Sequence, residues 1–283
     1  MDQDGSARKL LDRIEDLRVF PPAAGRVLHV AQNPRSSLRD MEGAVGSDPV
    51  LAAKVVELAN SAMYGRGHRV DDLWRAIQLL GFVATRDMSL ALALSGIGQR
   101  ADERWAYLWQ HATWSARAAR SLTPFVDRDV GRSAFLCALL HDIGRQLMAV
   151  IDPEALDAVL AAERGGHPDV MGIERRAFGI DHAALGAACL DRWSFRPELA
   201  RAVARHHQPI GQLVEPSEIK RVALLQLSDS LAHAVEVTDQ VVGVVAYAAS
   251  EPARRVLGVS RSDLEAIAVE LLTEREVGGR FAA

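Results

Sequence analysis

Five stretches in the second half of the chain each set a histidine or an aspartate among residues that otherwise read as core. They are His111 in "YLWQHATWSARAA", His141 and Asp142 in "FLCALLHDIGRQLM", His182 in "FGIDHAALGAACL", His206 and His207 in "AVARHHQPIG", and Asp229 in "ALLQLSDSLAHA". Burying a neutral polar group without a partner costs about 2–7 kcal/mol, and an isolated charge costs far more. Something must therefore satisfy these groups together. Neutral imidazoles and carboxylates are the ligand set that suits zinc, iron, manganese and nickel, and facing helices of a bundle commonly assemble such a site. Neighbours on a helix point about 100° apart, so His141 and Asp142 chelate one ion only if it sits close to the helix surface between them.

Taken singly, a histidine on a helix is more often a satisfied core or surface residue than a ligand. The joint occurrence of seven such residues in apolar settings is what points to a shared centre. His29, His68, His167 and His233 lack such company and read as structural or solvent-exposed. Cys137 lies one helical turn before His141, yet its setting, "AFLCALL", reads as that of a small core residue.

The elements that must position these side chains are helices. Apolar residues recur at i, i+3, i+4 and i+7 almost throughout, as in Leu10, Leu11, Ile14 and Leu17, or Val50, Leu51, Val55 and Leu58. Sustained two-residue alternation is absent; the best strand candidate, "VVGVVAY" from Val241, runs into a helix-like alanine stretch. Breaks fall at Phe20–Pro22, at Asn33–Ser37 with Ser37 and Asp40 spaced as a capping box, and at Ser47–Pro49 with proline at a first helical position. Further breaks fall at Tyr64–Arg69, Gly96–Arg100, Arg164–Pro168 and Val214–Ser217. In "ANSAMYG", Asn60, Ser61 and Tyr64 read as structural, shaping the exit from a helix with Gly65 free to take a positive φ.

Of the 9 histidines only His29 and His68 precede residue 100. We therefore expect two helical lobes, residues 1–99 and 100–283, divided at "GIGQRADE" and packed together. With 33 basic and 37 acidic side chains the net charge is −4, which provides no global field to hold nucleic acid. Arg175, Arg176, Arg196, Arg201 and Arg205 read as solvated helix faces. The opening "MDQDGSARKLLDRIEDL" is amphipathic and unlike a secretory signal, and the apolar runs read as too short or too interrupted by charge to span a bilayer. Cys137 and Cys189 make no disulfide framework. A cytoplasmic protein without membrane or nucleic-acid partners is the expectation.

The order H…HD…H…HH…D resembles the HD superfamily of metal-dependent phosphohydrolases. More specifically, "FPPAAGRVLHVAQNPRSSLRDMEGAVGSDPVLAAKVVELANSAMYG" followed by "AIQLLGFVATRDMSLALAL" resembles the first half of the HDOD domain, a bacterial signalling module. "LWQHATWSARAARSL" and "AFLCALLHDIGR" continue the match, which covers about residues 15 to 235. The resemblance implies an all-α fold with an HD-like bundle in the second lobe, holding one or two divalent ions. It implies His111, His141, Asp142 and Asp229 as core ligands, with His182, His206 and His207 at the positions that hold a second ion in two-metal relatives. The branch that hydrolyses cyclic dinucleotides has lysine in "HDxGK" and a Gly-Tyr-Pro motif. This chain has Arg145 at the lysine position and lacks Gly-Tyr-Pro. HDOD proteins are regarded as regulatory modules, so the resemblance implies a signalling role through a protein partner. The alternative is a phosphohydrolase acting on a phosphodiester or other phosphate-containing small molecule, with Asp142 and Arg145 as catalytic groups.

Overall fold

A computed structural model describes residues 21–60, 70–94, 103–193, 195–249 and 252–279. Among them every regular element is a helix and no strand occurs, as the periodicity and the resemblance both require. The described residues fall into two compact units, 21–94 and 103–279. The first amphipathic stretch, His68, Ser61, Tyr64 and most of "GIGQRADE" lie outside the described residues.

The first unit contains α1 (Pro22–Gln32), α2 (Leu38–Gly46), α3 (Pro49–Ala59) and α4 (Leu73–Leu94). Their starts follow local chemistry. Ser37 accepts from the Asp40 main-chain N–H while Asp40 accepts from that of Ser37, the reciprocal capping box expected from the spacing. Asp48 caps α3 by accepting from Val50 and Leu51, with Pro49 where its missing N–H costs nothing. α4 is broken at Gly81, whose φ of 76° favours glycine, and it packs on α1, α2 and α3. Asn60 donates to Val56 O and Val70 O and accepts from Val70 N–H, so its amide ties residue 70 to the end of α3. This is the structural role expected of it.

The second unit contains α5 (Glu103–Ser121), α6 (Arg128–Leu140), α7 (Ile143–Ile151), α8 (Pro153–Arg164), α9 (Val170–Phe178), α10 (His182–Arg192) and α11 (Pro197–Arg205). It continues through α12 (Pro216–Val237), α13 (Val241–Ala249), α14 (Pro252–Leu257) and α15 (Arg261–Gly279). The long helices α5 and α12 pack side by side, and α6 lies against both. Ala112, Ala116 and Ala119 of α5 and Leu224, Leu227 and Leu231 of α12 are buried, and small residues on α5 let the helix axes approach. The "VVGVVAY" stretch is helix α13 and not a strand.

Two stretches, Leu73–Ala93 and Arg128–Ile151, are long and apolar enough to cross a membrane by length and composition, contrary to the expectation from their sequence. The second is 78% buried within the protein and is interrupted at its polar pair, the pattern of a core element.

Candidate metal centre

His141 and Asp142 do not lie within one buried helix, as the sequence suggested. α6 ends at Leu140 and α7 begins at Ile143, with Asp142 in a non-helical conformation (φ −103°, ψ 16°). The two side chains therefore project from a corner, which removes the 100° problem of adjacent helical residues. Gly144 explains how the corner docks. A Cβ there would meet the carbonyl oxygen of His182 at 2.0 Å, so the start of α7 lies directly on the backbone of α10.

The seven expected side chains meet in one cluster. His111 Nε2 is 2.9 Å from Asp229 Oδ1, and His141 Nε2 is 3.7 Å from the same oxygen. Asp142 Oδ1 lies 3.6 Å from His141 Nε2, 3.2 Å from His182 Nε2 and 3.6 Å from His206 Nε2. His182 Nε2 is 3.4 Å from His206 Nε2 and 2.9 Å from His207 Nε2. All but His207 and Asp229 are buried, and those two face the solvent side.

Protons on the far side of the rings determine what this cluster can do. His141 Nδ1 is 2.6 Å from Ala138 O, and His206 Nδ1 is 2.6 Å from Val203 O. A carbonyl only accepts, so in both rings the proton sits on Nδ1 and Nε2 presents a lone pair when the ring is neutral. His182 Nδ1 lies 2.6 Å from Glu174, a carboxylate that also accepts from the His182 main chain. Burial alone would raise the Glu174 carboxyl, but His182 and Arg145 hold it below the ordinary value. With all three rings neutral, three lone pairs are thus aimed toward Asp142 Oδ1. A divalent cation satisfies such a set, and fixing the far nitrogen is how proteins orient imidazole ligands. Bonds of about 2.0–2.2 Å place neighbouring ligand atoms roughly 2.8–3.6 Å apart, close to the separations found here.

With no ion in place, the carboxylates and the rings hold one another by charge. Burial opposes ionisation of Asp142, but His141, Arg145 and His182 hold its carboxyl well below the usual range. Asp229 is likewise depressed against its burial, by the bond from His111 and the nearby His141 ring. His111 resists burial through its bonds to Asp229 and Glu236 and is pushed up to about 10. Burial lowers His206, keeping it neutral and ready to donate its lone pair.

Arg145 is not a solvated or phosphate-facing cation. It is 6% exposed, pairs with both oxygens of Glu163 at 2.8 and 3.1 Å, and lies 3.3 Å from Glu174 and 3.6 Å from the outer oxygen of Asp142. It anchors the carboxylates behind the ligands. Glu174 and Glu236 were missed in the sequence, as was His233, which does not stand alone: its ring lies 4.4 Å from that of His111. Asp229, His233 and Glu236 stand at i, i+4 and i+7, a one-face signal that the sequence does carry. The arginine pairing of Glu174 left no such mark. An open cavity of about 480 Å³ reaches the cluster past His206, His207, Gln226, Asp229 and Ser230, and among the described residues its lining includes no lysine or arginine.

An all-helical unit with imidazoles and carboxylates converging from α5, the α6–α7 corner, α10, the end of α11 and α12 defines a helical His/Asp-site protein. The chain belongs to the HDOD domain family, whose model matches residues 17–209. It is 26% identical over 204 residues to an uncharacterised protein of Treponema pallidum (strain Nichols), covering 71% of this chain and 39% of that one. The structure of a protein from Marinobacter aquaeolei VT8, provisionally assigned to signal transduction, superposes with a TM-score of 0.75. The two are 26% identical, over 98% of this chain and 65% of that one. This chain thus spans less than two thirds of either protein. A protein of Shewanella amazonensis SB2B, provisionally assigned as a phosphohydrolase, shares the fold with a TM-score of 0.73 and 24% identity over 93% of each chain.

Proposed function

We propose that this chain is a bacterial regulatory module of signal transduction that carries a divalent metal in an HD-type site and acts through a protein partner in the cytoplasm. His111, His141, Asp142 and Asp229 hold the first ion; His182, His206 and His207 hold a second with Asp142 between them. Iron, manganese, zinc and nickel all suit this ligand set. The observation that carries a regulatory reading over a hydrolytic one is the engagement of Arg145 by Glu163, Glu174 and Asp142. That pairing withdraws the cation nearest the centre from any phosphate. The signalling assignment of the Marinobacter protein supports the same reading.

Phosphohydrolysis is the second reading, favoured by the cavity that opens on His206, His207 and Asp229. There Asp142 would hold the ions that activate a water. One experiment separates the two. The full chain and His141→Ala are assayed for bound metal by elemental analysis, then for hydrolysis of bis(4-nitrophenyl) phosphate and a cyclic dinucleotide. We expect His141→Ala to hold fewer ions than the native chain and the same background hydrolysis in both. Turnover by the metal-loaded native chain above that of His141→Ala would overturn the regulatory reading.

A further inference from the structure

We propose that His233, with Asp229 and His111, forms a further metal position on the solvent side of the cluster, taking a divalent cation of the class that imidazole and carboxylate bind. This deepens the metal-site reading above, with which it shares two ligands, and adds one that the HD pattern does not contain.

Spacing supplies the first argument. Asp229 and His233 are one helical turn apart on α12, the i and i+4 arrangement that puts two side chains on one face. His233 Nε2 lies 3.5 Å from Asp229 Oδ1, the same oxygen that His111 Nε2 approaches at 2.9 Å. One ligand atom from each of the three lies within 4.8 Å of the others. The two rings are stacked 4.4 Å apart and tilted by only 34°, each presenting Nε2 to Asp229.

A second argument comes from the opposite edges of those rings. Glu236 lies 3.3 Å from His111 Nδ1 and 3.7 Å from His233 Nδ1. It stands behind the His111 ring as Glu174 stands behind that of His182, so that a cation taking the place of the Nε2 proton would find the far nitrogen already held. An ordinary surface pairing does not account for His233. Its separations of 3.5 and 3.7 Å from the two carboxylates exceed those of good hydrogen bonds, so the ring is held between them without closing on either.

The arrangement also has an order. The clusters run from His111, Asp229 and His233, through His111, His141 and Asp142, to Asp142, His182, His206 and His207. Side-chain exposure falls from 33% at His233 and 22% at Asp229 to 5% at His111 and 2% at His141. An ion arriving from solvent meets His233 first. One imidazole nitrogen binds one ion, so once His111 serves the inner ion the outer position keeps Asp229, His233 and water, and it binds more weakly and exchanges faster.

The test uses the metal-free full chain, dialysed to equilibrium against a series of Zn²⁺ concentrations and analysed for bound zinc. Native chain, His233→Ala, His233→Asn and His207→Ala are compared, with helicity followed by circular dichroism. We expect both His233 variants to keep native helicity and to lose one weakly held ion per chain, and His207→Ala to lose a tightly held ion while retaining the weak one. Zinc uptake by the His233 variants equal to native in number and affinity overturns the outer position and leaves the inner site standing. If His207→Ala matches native while the His233 variants bind less, the outer position stands and the inner second ion falls. No uptake by the native chain overturns both.

Discussion

Replacing Gly144 by alanine tests the link between the corner and the candidate ligands. The added Cβ would sit 2.0 Å from His182 O, 2.8 Å from His182 C and 2.9 Å from His182 Cα, all backbone atoms that no side-chain rotation can clear. Carbon and carbonyl oxygen tolerate about 3.3 Å, so α7 and the start of α10 must separate by roughly 1.3 Å. Metal–ligand distances hold to about ±0.2 Å, which puts His182 out of reach of an ion held by Asp142. Overpacking of this kind costs about 1–3 kcal/mol, and displacing a supporting group typically lowers metal affinity by roughly 10–100-fold. Thermal unfolding followed by circular dichroism should show a Tm lower by about 2–4 °C per kcal/mol, and calorimetric titration with Zn²⁺ should show the weakened binding. Gly43, in α2 with nothing within 4 Å of its added Cβ, is the control; alanine there should leave binding unchanged and raise stability by about 0.5–1 kcal/mol. If Gly144→Ala melts with the native chain and binds zinc with native affinity, the close approach does not position His182 and the reasoning fails.

Arg145→Met leaves Asp142, Glu163 and Glu174 without their shared cation and should destabilise the second unit by about 3–5 kcal/mol; denaturant unfolding at the native midpoint would refute the anchoring role. Asn60→Ala removes two hydrogen bonds to the Val70 main chain and one to Val56 O, and equilibrium unfolding should show a loss of about 1–2 kcal/mol. Asp87, 5% exposed beside Arg86, is raised by burial to about 6 from 3.8, against the opposing pull of that arginine. Its folded pKa lies above the unfolded one, so its contribution is fully present below about pH 3.8 and is lost as pH rises through about 6, a change of about 3 kcal/mol. Asp87→Asn should therefore match the native chain near pH 4 and exceed it in stability at pH 7; a variant less stable at pH 7 would show that the Arg86 pair outweighs burial.

Local rules wrote much of this protein into its sequence. The capping box at Ser37 and Asp40, the Asp48–Pro49 start of α3 and the apolar periodicity each depend on neighbours within a turn, so they could be read without coordinates. So could the seven side chains of the cluster, because polar groups in apolar helical stretches need one another. What lies around them depended on contacts remote in the chain. Glu174 reaches His182 from the preceding helix, and Glu236 reaches His111 across more than a hundred residues. Nothing in "VMGIERRAF" marks Glu174 as a carboxylate behind a ring, and the one-face spacing of Asp229, His233 and Glu236 does not say that His111 is a ring it supports. The sequence could not show that the helix breaks between Leu140 and Ile143, since the apolar run continues on both sides and the close seat of Gly144 on α10 is a contact remote in the chain. Arg145 carried the same ambiguity: a cation beside His141 and Asp142 looks the same in sequence whether it faces solvent, a phosphate or three carboxylates. The sequence by itself determined which side chains need partners, because that follows from residue type and local setting. The tertiary structure decided which partners they have, because burial and charge are balanced by groups that only folding brings within a few ångströms.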